Sequence, residues 1–146
     1  MRTKDEVDEA LLKDCRIFHY GTLSMTHESC REATRYAIAL AEQANAILSF
    51  DPNLREPLWE SLDIAREQVD YGLRHCHILK ISDNEIQWFT GEEDYDKGIR
   101  LLQEQYQIPF GQYSVELQSD IPVCACYGRL DRRYDLGYYS TGYCCV

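Results

Sequence analysis

The sequence predicts an α/β fold, a parallel sheet with helices packed against it, and three observations predict it. Short apolar runs recur at residues 15–20, 46–50 and 78–81, each of strand length. Segments with helical periodicity fill the gaps between them, and strands joined by crossovers of that length pair in parallel. Each run also empties into polar residues: Gly21-Thr22-Leu23-Ser24, then Asp51-Pro52-Asn53-Leu54-Arg55, then Ser82-Asp83-Asn84-Glu85. Ligands bind beyond the carboxyl ends of the strands in such sheets, so these clusters mark where a cleft is expected.

Taken in order, residues 6–12 read as a short amphipathic helix. Thr26 can cap a longer one whose apolar face is Ala33, Ala37, Leu40, Ala41 and Ala44, small residues suited to packing on a sheet. After the Asp51 loop, Leu58, Leu62, Ala65, Val69 and Leu73 repeat at helical spacing until the next strand begins near His77. Residues 86–89 read as a helix stopping at Thr90-Gly91, where glycine suits a helix C-terminus. Residues 95–106 supply a last helix with Ile99 and Leu102 inward, and 113–117 alternate as a strand would.

With 146 residues and 45% hydrophobic content, the chain can bury one real core, as a single domain. A formal charge of −10 opposes a sequence-independent grip on nucleic acid, which needs clustered Lys and Arg. The N-terminus has no apolar signal core and no apolar run approaches the ~20 residues of a membrane span, so a cytoplasmic protein without membrane contact is expected. Seven cysteines without an export signal read as thiols. Cys124, Cys126, Cys144 and Cys145 crowd the end, but C-x-C with C-C is an unusual spacing for structural zinc, and no metal centre is assigned. His19, His27, His75 and His77 show no ligand spacing, and Trp59 and Trp88 read as packing residues.

Neither Gly-x-Gly-x-x-Gly nor a P-loop motif occurs, so a nucleotide must be held another way. The polar clusters also have plainer readings. Asp51-Pro52-Asn53 is a good turn, and Arg55 can pair with Glu56 or Glu60. Ser82 with Glu85 three residues on fits a helix capping box as well as it fits a function. For residues 21–24 a loop with a hydroxyl cap is the default reading.

Residues 18–25 (FHYGTLSM), 49–59 (SFDPNLREPLW) and 79–85 (LKISDNE) through Thr90-Gly91 resemble, in order and spacing, the ribokinase-type (PfkB) carbohydrate kinases, and within them the bacterial fructokinases. The resemblance covers residues 4–109. It implies a ribokinase-like (Rossmann-like) parallel sheet with flanking helices, incomplete in this chain. It also implies ATP, Mg2+ and a sugar as partners, with phosphoryl transfer to a sugar hydroxyl, typically the 6-hydroxyl of fructose. Asn53 and Arg55 would then sit between the sugar and phosphate sites, where a guanidinium can face anionic oxygens, and Asp51 would order their loop. Glu85 matches the glutamate of the family's Asn-x-x-Glu motif, which supports the magnesium and phosphate region through water. Ser82 stands where that motif has asparagine, and Lys80 precedes it.

Two departures limit the carry-over. The family's Gly-Ala-Gly-Asp motif, source of its general base and anion hole, is absent, so no catalytic residue and no direct metal ligand are assigned. The family's amino-terminal part is also missing by this alignment, and with it most of what would fix the sugar and the oligomeric state. From residue 110 to 146 the chain becomes a divergent Tyr- and Cys-rich tail. A frameshift or a rearranged gene would produce such a change, and a genuine tail forming an edge strand or a partner surface is the rival. Beside a kinase segment, the alternatives are a catalytically inactive remnant that binds a ligand or partner, and a nonfunctional product with exposed sheet edges.

Overall fold

The computed structural model describes residues 3–115 and 123–128, which form two compact units divided between Cys76 and His77. In the first, a 3-10 turn at Lys4–Glu6 leads to α1 (Glu9–Lys13), β1 (Ile17–Gly21) and a second 3-10 turn at Thr22–Met25. Then come α2 (Glu28–Gln43), β2 (Ile47–Asp51), a third 3-10 turn at Glu56–Leu58 and α3 (Leu62–His75). β1 and β2 pair in parallel, Ile17 opposite Ile47 and Gly21 opposite Asp51.

Helix α3 lies close against β2 because residue 72 is glycine: a Cβ there would strike the ring of Phe50. The Tyr20 ring also stacks on Phe50, 5.0 Å between centroids. Leu48, Phe50, Ala65, Val69 and Leu73 are wholly or almost wholly buried, as are Ile38 and Ala41 of α2. The small residues of α2 thus lie inward, as their spacing predicts.

The second unit consists of β3 (Ile78–Ser82), α4 (Asp83–Thr90), α5 (Tyr95–Tyr106), β4 (Phe110–Val115) and β5 (Val123–Gly128). β3 and β4 are parallel, Ile78 opposite Phe110, and β5 runs antiparallel to β4. Helix α4 ends where Gly91 turns left-handed at φ +74° and its N–H donates to the Gln87 carbonyl at 2.8 Å. Helix α5 packs on α4 through Gly98, where a Cβ would strike Ile86. Ile99 and Leu102 are buried, as expected.

The α/β class with parallel strands is the observed one, but several local expectations need correction. The helix over 6–12 is instead the 3-10 turn followed by α1, because the Asp8 carboxylate accepts from Leu11 N at 3.0 Å and restarts the helix there. Thr26 does not cap α2: its hydroxyl donates to the Leu23 carbonyl at 3.1 Å, since it closes the preceding turn, and His27 holds the N-cap position without a side-chain bond. Leu58 and Leu62 are 56% and 45% exposed, because Ser61 starts α3 only at Leu62 and the inward stripe is Ala65, Gln68, Val69, Gly72 and Leu73. Ala44 ends α2 and is only half-buried. The strand expected at 113–117 begins earlier, because Phe110 N already donates to the His77 carbonyl at 3.2 Å.

Residues 116–122 and 129–146, with Cys144, Cys145 and most of the tail, lie outside the described residues. Cys15, Cys30 and Cys76 are free thiols. His19 bonds the Ser49 hydroxyl at 3.1 Å, and His75 meets Glu42 at 2.6 Å. Among the described residues no helix is long and apolar enough to cross a membrane.

Candidate functional site

The parallel register of β1 and β2 brings the polar residues that follow them side by side. Gly21 and Asp51 are direct partners, and the two strands approach so closely that a Cβ on Gly21 would stand 2.6 Å from the Asp51 carbonyl oxygen. One residue further on, Thr22 is fully buried, and both its N–H (3.2 Å) and its hydroxyl (2.5 Å) donate to the Pro52 carbonyl. The chain beyond Pro52 then turns through Asn53 at φ 44°, a left-handed conformation that asparagine tolerates better than most residues.

This geometry places the three residues of the second cluster differently. Asp51 is half-buried at the end of β2, while Asn53 and Arg55 are exposed, Arg55 heading the 3-10 turn Glu56–Leu58. Asp51 and Asn53 line a cavity of about 730 Å³ together with Gly21 and Ser24. Its remaining wall is mostly apolar, from Leu12, Phe18, Ala33 and Ala37 among others. Arg55 does not line it. A carboxylate and an amide can hydrogen-bond hydroxyls, and a guanidinium nearby in sequence can meet an anion in bidentate fashion.

In the second unit, Ser82 and Glu85 make the reciprocal box that their spacing allows. The Ser82 hydroxyl accepts from Glu85 N at 3.3 Å, and Glu85 Oε2 accepts from Ser82 N at 2.9 Å. The capping role is therefore realised in full, and it fixes the orientation of the half-buried Glu85 carboxylate. Asp83, at the first turn of the same helix, is buried, and its Oδ1 accepts from Asn84 N at 2.8 Å. Negative charge is favoured at this end of a helix by the backbone dipole. Lys80 is exposed on β3.

Sequence reasoning underrated Gly21 and Thr22, which it read as a loop. A partial signal was present, since Gly21 follows its apolar run as Asp51 follows the next, but only the strand register sets the two opposite each other. Among the described residues no three His, Cys, Asp or Glu converge as a metal cage. Nor is Cys76 a ready nucleophile, since burial pushes its thiol up to about 12.

Residues 1–110 match the model of the pfkB family carbohydrate kinases. A curated relative from Arabidopsis thaliana, named "Probable fructokinase-2", is 42% identical over 92 residues, 63% of this chain and 28% of that protein. A PfkB protein from Polaromonas sp. JS666 superposes with a TM-score of 0.77 at 21% identity, over 87% of this chain and 42% of that one, a likeness of fold. The fructokinase of Xylella fastidiosa with bound ATP superposes with a TM-score of 0.72 at 25% identity, over 88% of this chain and 40% of that one. The chain thus spans well under half the length of these relatives.

Proposed function

The chain belongs to the pfkB family of carbohydrate kinases, and from that premise we propose that it is a segment of an ATP-dependent sugar kinase that passes the γ-phosphoryl group to a hydroxyl of fructose. The observation that carries this reading is the Asp51-Pro52-Asn53-Leu54-Arg55 loop, which leaves the carboxyl end of β2 with Asp51 and Asn53 on a cavity large enough for a sugar. The fructokinase name of the Arabidopsis relative and the ATP in the Xylella fructokinase support the choice of sugar and of phosphoryl donor.

In this reading Asp51 and Asn53 hydrogen-bond sugar hydroxyls, and Arg55 faces the phosphate being transferred. Ser82 and Glu85 belong to the nucleotide and magnesium end. Glu85, one oriented carboxylate at a helix start, suits magnesium that arrives with the nucleotide phosphates and keeps its waters. When bound, that ion would neutralise phosphate charge; the chain's own part is to bind and orient. The chain has no match to the family's Gly-Ala-Gly-Asp base, so this segment supplies positioning and charge, with proton abstraction left unassigned. We place this activity in the cytoplasm, the setting the sequence leads us to expect.

The test is thermal unfolding of the purified 146-residue chain with fructose, with ATP–Mg2+ and with both. A ligand present at 100 times its Kd should stabilise by about 2.7 kcal/mol. Arg55→Ala should abolish the protection by fructose with nucleotide, and Glu85→Ala that by ATP–Mg2+. No protection by any combination would refute the reading. A coupled assay for fructose-dependent ADP release decides whether the segment also turns over.

A further inference from the structure

We infer that Thr22 is a positioning residue for the sugar- and phosphate-facing loop, an inference that rests on the function proposed above. Thr22 is fully buried, and it spends both of its donors on one acceptor, the Pro52 carbonyl. A carbonyl oxygen has two lone-pair directions, and taking both fixes the plane of the Pro52–Asn53 peptide. The proline ring restricts φ on one side of that peptide, and the next residue, Asn53, must enter the left-handed region at φ 44°. The clamp acts where the chain leaves β2, and hence on where Asn53 and Arg55 are presented.

The clamp is itself anchored. Thr22 opens the 3-10 turn Thr22–Met25, whose Ser24 hydroxyl donates to the Gly21 carbonyl at 3.3 Å. From α2, Thr34 Oγ1 lies within hydrogen-bond distance of Ser24 Oγ, 2.9 Å, and Arg31 Nε donates to the Met25 carbonyl at 2.9 Å. A helix thus holds a turn, the turn holds Thr22, and Thr22 holds the loop. Simple filling of the space would need neither donor: valine has nearly the same shape. The two aligned donors are what a rigid presentation of exposed binding residues requires, because small misplacements of such groups cost rate and affinity heavily.

The experiment compares the wild-type 146-residue chain with Thr22→Val, Thr22→Ser and Arg55→Ala in two measurements. The first is amide hydrogen exchange across residues 51–55 with no ligand; the second is affinity for fructose 6-phosphate as the probe. Thr22→Val should speed exchange in that loop about tenfold, leave α3 and β1 unchanged, and weaken the probe about tenfold, while Thr22→Ser retains both properties. Should Thr22→Val fail to fold, Thr22→Cys, whose thiol is a poor donor, takes its place. Wild-type exchange or affinity in the valine variant, beside lost affinity in Arg55→Ala, would overturn the positioning role and leave the binding reading intact. Faster exchange throughout the unit would overturn it as well, making Thr22 a support of the fold alone. Absence of probe binding by every form, wild type included, would remove the binding reading and the positioning role with it.

Discussion

The Tyr20 hydroxyl donates a 2.8 Å hydrogen bond to the Gly72 carbonyl in the buried interior, joining β1 to α3 across 52 residues of sequence. Burial pushes the phenol far above its ordinary pKa, so it remains a donor wherever the protein is folded. The ring keeps its stack on Phe50 in Tyr20→Phe, which isolates the hydroxyl. That substitution should cost about 1 kcal/mol, read as a lower urea midpoint at unchanged slope. An unchanged midpoint would mean the carbonyl is satisfied without it.

Gly21 and Gly91 are glycines for different reasons, and substitution separates them. Gly21 has extended backbone, φ −147°, but lies against the Asp51 carbonyl, whereas Gly91 is left-handed at φ +74° with open space around it. Asparagine tolerates the left-handed region, so Gly91→Asn should cost little and Gly91→Ala about 1 kcal/mol. Gly21→Ala and Gly21→Asn should both cost more, on the order of 1–3 kcal/mol, because the obstacle is backbone. Denaturant titrations of the four variants check the ordering, and a Gly21→Ala protein as stable as wild type would contradict the close approach.

What the sequence disclosed followed from how local each determinant was. Helix α5 and the Gly91 stop were legible because periodicity and a left-handed glycine act within a few residues. The same local evidence misplaced the start of α2: Thr26 has the right chemistry for a cap, but the turn before it already claims its hydroxyl. Leu58 and Leu62 continue the spacing of Ala65 and Val69 but precede the helix or open it, so they face outward. At the site, Asp51, Asn53 and Arg55 stood out as candidates in the sequence because a turn explains a guanidinium poorly. The dependence of their loop on Thr22 could not, since it exists only through the register of two strands 30 residues apart.

Asn53 combines an exposed side chain with a backbone at φ 44°, and two substitutions divide these contributions. Asn53→Gly keeps the conformation without the side chain and should leave the melting temperature near wild type while weakening sugar binding. Asn53→Ala adds the left-handed penalty and should destabilise by about 1–2 kcal/mol. If both variants bind fructose as wild type does, the amide takes no part in recognition.

Glu85 has a capping role that glutamine can also fill, so Glu85→Gln distinguishes the helix start from the charge. The Oε2 that accepts from Ser82 N at 2.9 Å has its counterpart in the glutamine carbonyl. Stability should fall by less than about 0.5 kcal/mol in Glu85→Gln, and by about 1 kcal/mol in Ser82→Ala, which loses the acceptor for Glu85 N. Protection by ATP–Mg2+ should nonetheless vanish in Glu85→Gln. Retained protection would show that Glu85 is a cap alone.

Cys76 predicts the alkaline limit of the first unit. Burial is the largest cause lifting its thiol from an ordinary 9.0 to about 12, and the thiol donates to the Leu73 carbonyl at 3.6 Å. Above pH 9 the unfolded chain releases this proton while the folded chain retains it, so the unfolded state binds fewer protons and stability falls as pH rises. The contribution is intact below pH 9 and is lost between pH 9 and about 12, at about 1.4 kcal/mol per pH unit and about 4 kcal/mol in all. Tyr20 adds to the fall above its ordinary value of 10.0, so Cys76→Ala should flatten the decline only in part. Urea midpoints from pH 7 to 11 measure the slope for both proteins. At pH 8, site-resolved thiol labelling should reach the half-buried Cys15 and Cys30 directly, and Cys76 only at the rate of unfolding. Labelling of Cys76 as fast as Cys15 would show that the thiol is reached from solvent without unfolding and would remove the basis for the alkaline slope.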